Sequence, residues 1–231
     1  MHAAEQVSNA GHRRTLSAHV FGATLASPVA PMSSTNSSLT QARHWVFDMD
    51  GTLTVAVHDF AAIRRELSIP EESDILVHLA RLPAAEAATK HAWLLEHERE
   101  LAHASRASAG AVELVRQLRR RGCRLGILTR NARELALVTL EAIGLADAFD
   151  PNDILGRDEA PPKPHPGGLL RLAQQWGVAS SELVMVGDYL FDLECARAAG
   201  ARSVLVNLPE NLWPTLTDHF AEDCGALHAM L

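Results

Sequence analysis

The sequence predicts an α/β fold: a parallel sheet covered by helices on both faces, with a small helical segment inserted near its start. Two observations predict the sheet. Short, nearly continuous apolar runs occur at Trp45-Val46-Phe47, 123–129 (Cys-Arg-Leu-Gly-Ile-Leu-Thr), 183–187 (Leu-Val-Met-Val-Gly) and 203–206 (Ser-Val-Leu-Val). Stretches with helical character separate each run from the next, and strands that alternate with helices form parallel sheets buried on both sides. A third observation predicts the insert. Three helix-like stretches follow the first strand with no strand signal between them. That is a compact cap rather than a regular crossover.

Taken in order, the first strand ends at Asp48 and a linker runs from Thr54 to Asp59. The insert then reads as helices 59–67, 71–81 and 84–106. The second begins after Pro70-Glu71-Glu72, with acidic residues at the positive end of the helix dipole. In the third, Ala88, Ala92, Leu95 and Ala102 fall on one face at steps of 4, 3 and 7. Helix 109–121 points Val112, Val115 and Leu118 inward and ends in Arg119-Arg120-Arg121, cations suited to a helix's negative end. Helices 132–143 and 190–199 stop at Gly144 and Gly200. Between them, loop 150–167 carries Pro151, Pro161, Pro162, Pro164 and Pro166 and should be stiff and extended, and helix 167–176 follows it. The tail ends in a short apolar stretch, 225–231.

A length of 231 residues allows one ordinary domain plus an insertion. The expected division is a core of 43–54 and 107–231, a cap of 55–106, and a disordered tail of 1–42. That tail is rich in Ser, Thr and Ala and holds a single acidic residue, Glu5. Two alternatives for it are a targeting peptide around His12-Arg13-Arg14 and a natural start at Met32. A net charge of −7 argues against nucleic acid or anionic membrane as a partner. Cys123, Cys195 and Cys224 fit no zinc spacing and suggest a reducing compartment. No segment is apolar for long enough to span a membrane, so a cytoplasmic location is expected.

The chemistry centres on Asp48-Met49-Asp50-Gly51-Thr52. Gly51 permits a sharp turn, which places two carboxylates just beyond a strand's carboxyl end, where open α/β sheets bind ligands. So close together, they repel unless a cation joins them. Oxygen ligands point to Mg²⁺. Thr129 and Asp188 also end predicted strands, so all three strand ends gather at one edge, within reach of Lys163 on the proline-rich loop. Carboxylates, a hydroxyl and an ammonium together suit a phosphoryl group and Mg²⁺. A pair of solvated aspartates in an Asx turn is the plainer reading of Asp48 and Asp50 alone.

These residues resemble the four ordered motifs of the haloacid dehalogenase-like hydrolase superfamily. Asp48-Met49-Asp50-Gly51-Thr52 is similar to the first, Leu128-Thr129 to the second, Lys163-Pro164 to the third, and Gly187-Asp188 with Asp192 to the fourth. The helical insert resembles the small cap of the phosphoglycolate phosphatase-like branch. The resemblance implies a three-layer, Rossmann-like core. It further implies that Asp48 is the nucleophile, Asp50 the acid/base, Thr129 a phosphate-binding hydroxyl and Lys163 a neutralising cation. Asp188 would hold Mg²⁺ with the Asp48 carboxylate and the Asp50 carbonyl. Asp192 would be an outer or weaker metal ligand, orienting a metal-bound water or Lys163, or would only favour its helix's N-terminus. Members acting on halides lack an acid at the Asp50 position, so Asp50 implies phosphate chemistry. The stretch Thr54-Val55-Ala56-Val57-His58-Asp59 departs from the family's usual continuation.

Arg130 and Asn131 follow the second motif and are candidates to bind substrate, with a helix cap as the alternative for Asn131. Arg157 and Arg202 read as surface or structural residues. His91, His97 and His103 share no helical face, and His97-Glu98 lacks the second histidine of a zinc motif. His165 is expected to shape its loop. The expected function is Mg²⁺-dependent hydrolysis of a small phosphorylated metabolite by a monomer or homodimer, in the manner of a phosphoglycolate phosphatase. The alternatives are a phosphomutase of the β-phosphoglucomutase type and a catalytically idle binding protein.

Overall fold

In the computed structural model, which describes residues 39–56 and 59–231, strand β1 (His44–Phe47) lies at the middle of a six-stranded sheet. The other strands are β2 (Arg124–Leu128), β3 (Ile154–Leu155), β4 (Leu183–Gly187), β5 (Arg202–Leu205) and β6 (His219–Phe220). Their order is β3-β2-β1-β4-β5-β6 and every pair is parallel. The chain runs outward from β1 through β2 to β3, then crosses to β4 on β1's other side. The crevice between β1 and β4 is therefore the point where strand order reverses, the usual ligand position in such sheets.

Alternation along β1 makes the two faces. Trp45 and Phe47 join the layer of α4 (Ala111–Arg120), α5 (Arg133–Ala142) and α8 (Cys224–Ala229), which includes Leu114, Leu118, Leu140 and Leu227. Val46 joins the opposite layer of α6 (Gly167–Trp176) and α7 (Leu190–Ala199), through Leu169, Leu172 and Ala196. The strands are short and apolar throughout because both faces are covered.

Helices α1 (Phe60–Glu66), α2 (Ile75–Leu79) and α3 (Ala84–His103) make up the inserted segment. They enclose their own small core of Ile63, Leu67, Ile69, Ile75, Leu79 and Leu94. The chain leaves and returns side by side: the Val55 N–H donates to the Arg106 carbonyl (2.9 Å) and the Ser108 N–H to that of Leu53 (2.9 Å). α3 packs on α5 through Ala102, Ala132 and Leu135.

The structure departs from the sequence expectations in five places. Helix α2 starts at Ile75, because Pro70–Ser73 form a turn (Ser73 N–H to Pro70 carbonyl, 3.0 Å) and Asp74, not Glu71 or Glu72, caps the helix. The buried face of α3 is Leu94, Glu98 and Ala102, while Ala88 and Ala92 are exposed. Alanine buries too little apolar area to mark a face, and Glu98 turns inward because Arg157 pairs with it. Strands β3 and β6 are additional; two residues each cannot show a periodicity. Most of the expected tail lies outside the described residues, as do the targeting-peptide and Met32 alternatives. Its last residues, however, pack on the core, with Leu39 and Ala42 buried and the Ala42 carbonyl accepting from the Trp45 indole (3.4 Å). No helix among the described residues is long and apolar enough to cross a membrane.

One buried carboxylate fixes the β2–β3 side. Asp153 accepts from the Trp176 indole (2.8 Å), Gln175 (2.8 Å) and the Arg124 guanidinium (3.0 and 3.2 Å). Asp153→Ala would leave a buried indole N–H and a guanidinium without their acceptor. It should lower stability by about 2–4 kcal/mol in chemical denaturation. A loss below about 0.5 kcal/mol, the range of ordinary surface changes, would show that the network contributes little.

Candidate active site

The site begins where β1 ends. The Asp48 N–H donates to the Val186 carbonyl of β4 (2.9 Å), which continues the ladder one residue past the strand. On the other side, the Thr129 N–H donates to the Leu155 carbonyl (3.0 Å) and does the same for β2. Asp188 follows the last residue of β4. The three strand ends therefore present Asp48, Thr129 and Asp188 at one edge.

Lys163 is 2% exposed and reaches this edge from the proline-rich loop. Its Nζ lies 2.5 Å from Asp48 Oδ1 and 2.6 Å from Asp192 Oδ1. The second Asp192 oxygen accepts from the Tyr189 N–H (3.2 Å). Asp188 Oδ1 accepts from the Thr52 hydroxyl (2.9 Å). Two glycines allow this crowding. A Cβ on Gly51, whose φ is +85°, would lie 2.2 Å from Asp188 Oδ2, and one on Gly187 would lie 2.2 Å from Asp192 Cγ.

The Thr129 hydroxyl accepts from the Asn131 N–H (3.0 Å), which leaves its own proton to donate elsewhere. The Asn131 side chain accepts from the Ala132 N–H (2.9 Å) and holds that turn. The Arg130 guanidinium pairs with Asp74 of the insert and lies 4.7 Å over the Phe191 ring. Asp48, Asp50, Thr129, Arg130, Asn131, Lys163, Asp188 and Asp192 all line one cavity of about 580 Å³ between the insert and the sheet edge. The eight residues singled out from sequence are thus brought together.

Other residues were not singled out. The Asn207 amide donates to the Gly51 and Thr52 carbonyls (2.8 Å each), and the Ser108 hydroxyl donates to the Thr52 carbonyl as well. They pin the loop that carries Asp48 and Asp50. Asn207 follows the β5 segment at the same sheet edge, so position past a strand end was the available signal. Arg157, read from sequence as surface or structural, makes a bidentate pair with Glu98 of α3 (2.9 and 2.8 Å).

The electrostatics are unbalanced. Burial pushes Asp48 well above the ordinary carboxyl range; the Lys163 ammonium opposes this, while Asp192 and Asp188 add to it. Burial, and then the Asp192 charge, push Asp188 up to about 6. Burial works against the Lys163 charge, but Asp192 and Asp48 outweigh it and hold the ammonium more firmly protonated. Asp48, Asp188 and Asp192 each offer an oxygen, and these oxygens lie within 4.8 Å of one another. One buried ammonium does not neutralise this set. A hard divalent cation with oxygen ligands fits it.

Residues 43–200 match the family model of the haloacid dehalogenase-like hydrolases. The chain belongs to this family. A haloacid dehalogenase-like hydrolase domain-containing protein of Arabidopsis thaliana is similar to it, 31% identical over 75% of this chain and 74% of the relative. A phosphoglycolate phosphatase of Rhodospirillum rubrum is 32% identical over 70% of this chain and 78% of the relative. Among solved structures, a hydrolase from Pseudomonas syringae is similar with a TM-score of 0.66 and 25% identity, covering 81% of this chain and 96% of the other. The likeness to the solved structure extends over most of this hydrolase's fold.

The Asp188 carboxyl sits at about 6 in the folded protein against 3.8 unperturbed. Between those values the folded state keeps a proton that the unfolded chain has released. The group therefore favours folding at low pH, and that contribution is lost as pH rises from about 4 to about 6. In the presence of a chelator at pH 7, Asp188→Asn should be more stable than the unaltered protein, by on the order of 1–3 kcal/mol. The gap should close near pH 4. Thermal denaturation across this range checks it; an unaltered protein more stable than Asp188→Asn at pH 7 would contradict the sign.

Proposed function

We propose that this hydrolase is a Mg²⁺-dependent phosphatase that cleaves a small phosphomonoester through a phosphoryl group carried on Asp48. The observation that supports this best is the placement of Asp48. It lines the cavity in 2.5 Å contact with a buried ammonium, and the Thr129 hydroxyl, with a proton to donate, lines the same cavity. The similarity to the Rhodospirillum rubrum phosphoglycolate phosphatase adds to it.

An Asp48 oxygen attacks phosphorus and the bond to the leaving oxygen breaks. Asp50, also on the cavity wall, gives that oxygen its proton. Asp50 then takes a proton from water, the water oxygen attacks phosphorus, and phosphate leaves with Asp48 restored. Lys163 and the Thr129 hydroxyl donate to the phosphoryl oxygens in both steps. Asp192 engages Lys163 and the Tyr189 N–H through its two oxygens, so its part is to hold Lys163 in line. A Mg²⁺ ion held by the Asp48 and Asp188 carboxylates and the Asp50 carbonyl would supply the neutralisation that keeps Asp48 ionised. Three free cysteines, all buried, support a reducing, cytoplasmic setting.

Asp48→Asn should abolish turnover with the fold retained, and stopping the active enzyme in mid-reaction should trap phosphate on Asp48. Trapping on serine, histidine or cysteine would overturn the mechanism. Asp50→Asn should slow formation of the phosphorylated enzyme on the order of 10²–10⁴-fold with an alkyl phosphate. The loss should be far smaller with an aryl phosphate, whose leaving group needs little protonation. Rapid-mixing burst kinetics separates this step from hydrolysis of the intermediate. Phosphate release without a sugar bisphosphate activator separates a phosphatase from a mutase.

A further inference from the structure

We propose that the leaving group this site accepts is a neutral, apolar alcohol, of the size of a phenylalkyl group, rather than a hydroxy acid. The inference rests on the phosphatase reading above. Size and surface supply the first argument. The cavity of about 580 Å³ is far larger than a phosphoryl group with a two-carbon acid requires. Away from the aspartates, its wall is formed by Phe60, Ile75, Leu76 and Leu94 of the insert and by Tyr189 and Phe191 beside Asp188. Tyr189 stands edge-on to Phe191 (5.1 Å) and to Trp213 (5.6 Å), which makes an aromatic ledge at the mouth. Tyr189 and Phe60 both line the cavity and remain 52% and 54% exposed. A ring packed against either would remove apolar surface from water.

Charge supplies the second argument. A hydroxy acid brings a carboxylate, which needs a cation once it leaves water. Besides Lys163, the cavity wall contains two cations, Arg64 and Arg130. The Arg130 guanidinium is already paired with Asp74 and stacked on Phe191. Burial tends to raise Asp74, but the Val77 N–H and Arg130 outweigh it and keep this carboxylate ionised. Arg64 donates through Nε to the Ser73 carbonyl (3.1 Å) and shares its wall with Glu72 and Asp74. Glu98 adds a further carboxylate, already matched by Arg157. An incoming carboxylate would have to displace Asp74 to reach Arg130, and at Arg64 it would sit beside Glu72 and Asp74.

The test compares three alkyl phosphates with Mg²⁺: 2-phenylethyl phosphate, ethyl phosphate and phosphoglycolate. The expected kcat/KM for phenylethyl phosphate is about 10- to 100-fold above that for ethyl phosphate, the gain a matched apolar pocket gives. Phosphoglycolate should be no better than ethyl phosphate. Phe60→Ala should lower the phenylethyl-to-ethyl ratio by about tenfold. Asp74→Asn keeps a good cap on α2 but removes the charge on Arg130, and should raise phosphoglycolate relative to ethyl phosphate. Phosphate release with phosphoglycolate as the best of the three would overturn the inference and leave the phosphatase reading standing. So would a phenylethyl-to-ethyl ratio near one. Release from none of the three would refute the phosphatase reading and this inference with it.

Discussion

The contact on which the rest of the structure depends is the buried Lys163 ammonium between Asp48 and Asp192. A lone ammonium at this depth would lose its proton or pull the loop back toward water. With a carboxylate at 2.5 Å and another at 2.6 Å it stays charged, and it ties together three separate pieces of chain. Asp48 comes from the end of β1, Asp192 from the first turn of α7, and Lys163 from the loop before α6. The parallel sheet brings the first two to one edge, and the stiff loop brings the third. Removing Lys163 would leave two buried carboxylates without their cation, a larger penalty than the contact is worth as an attraction.

This explains what the sequence made legible. Each of Asp48, Thr129 and Asp188 follows a short apolar run, so topology alone forces them together. Lys163 is marked by prolines on either side of it in the loop. The features that stayed hidden depend on partners distant in sequence. Glu98 looks like a solvent-facing residue of α3 until Arg157, 59 positions later, is seen to pair with it. Arg130 reads as a substrate ligand, but whether its guanidinium is available depends on Asp74, which caps a helix in the insert. Asn207 lies far from the loop it pins. β3 and β6 exist because neighbouring strands offer edges, not because two residues prefer to be extended.

The insert is joined to the core by charge as well as by chain. Asp74–Arg130, Glu98–Arg157 and the exposed Arg99–Glu134 all cross from one to the other. Their weights differ. Arg99–Glu134 is open to solvent and contributes little. Glu98–Arg157 is nearly enclosed and bidentate, so separating it would expose two charges that are matched only with each other. The packed side, where α3 meets α5, therefore resists opening. The side at α1 and α2 is tied to the core by Asp74–Arg130.

The two halves of the cavity thus solve different electrostatic problems. At the sheet edge, carboxylates outnumber ammonium groups, and burial pushes Asp48 and Asp188 toward the neutral form. That arrangement is poor for stability and suited to a cation, whose binding relieves the imbalance. In the insert two carboxylates are already matched, Asp74 with Arg130 and Glu98 with Arg157, and much of the remaining wall is apolar. A ligand gains by filling the first half with charge and the second with surface. In the proposed reaction the phosphoryl group would lie over Asp48 and the alcohol under the insert. The core residues can therefore keep one chemistry while the insert's side chains decide which alcohol it is applied to.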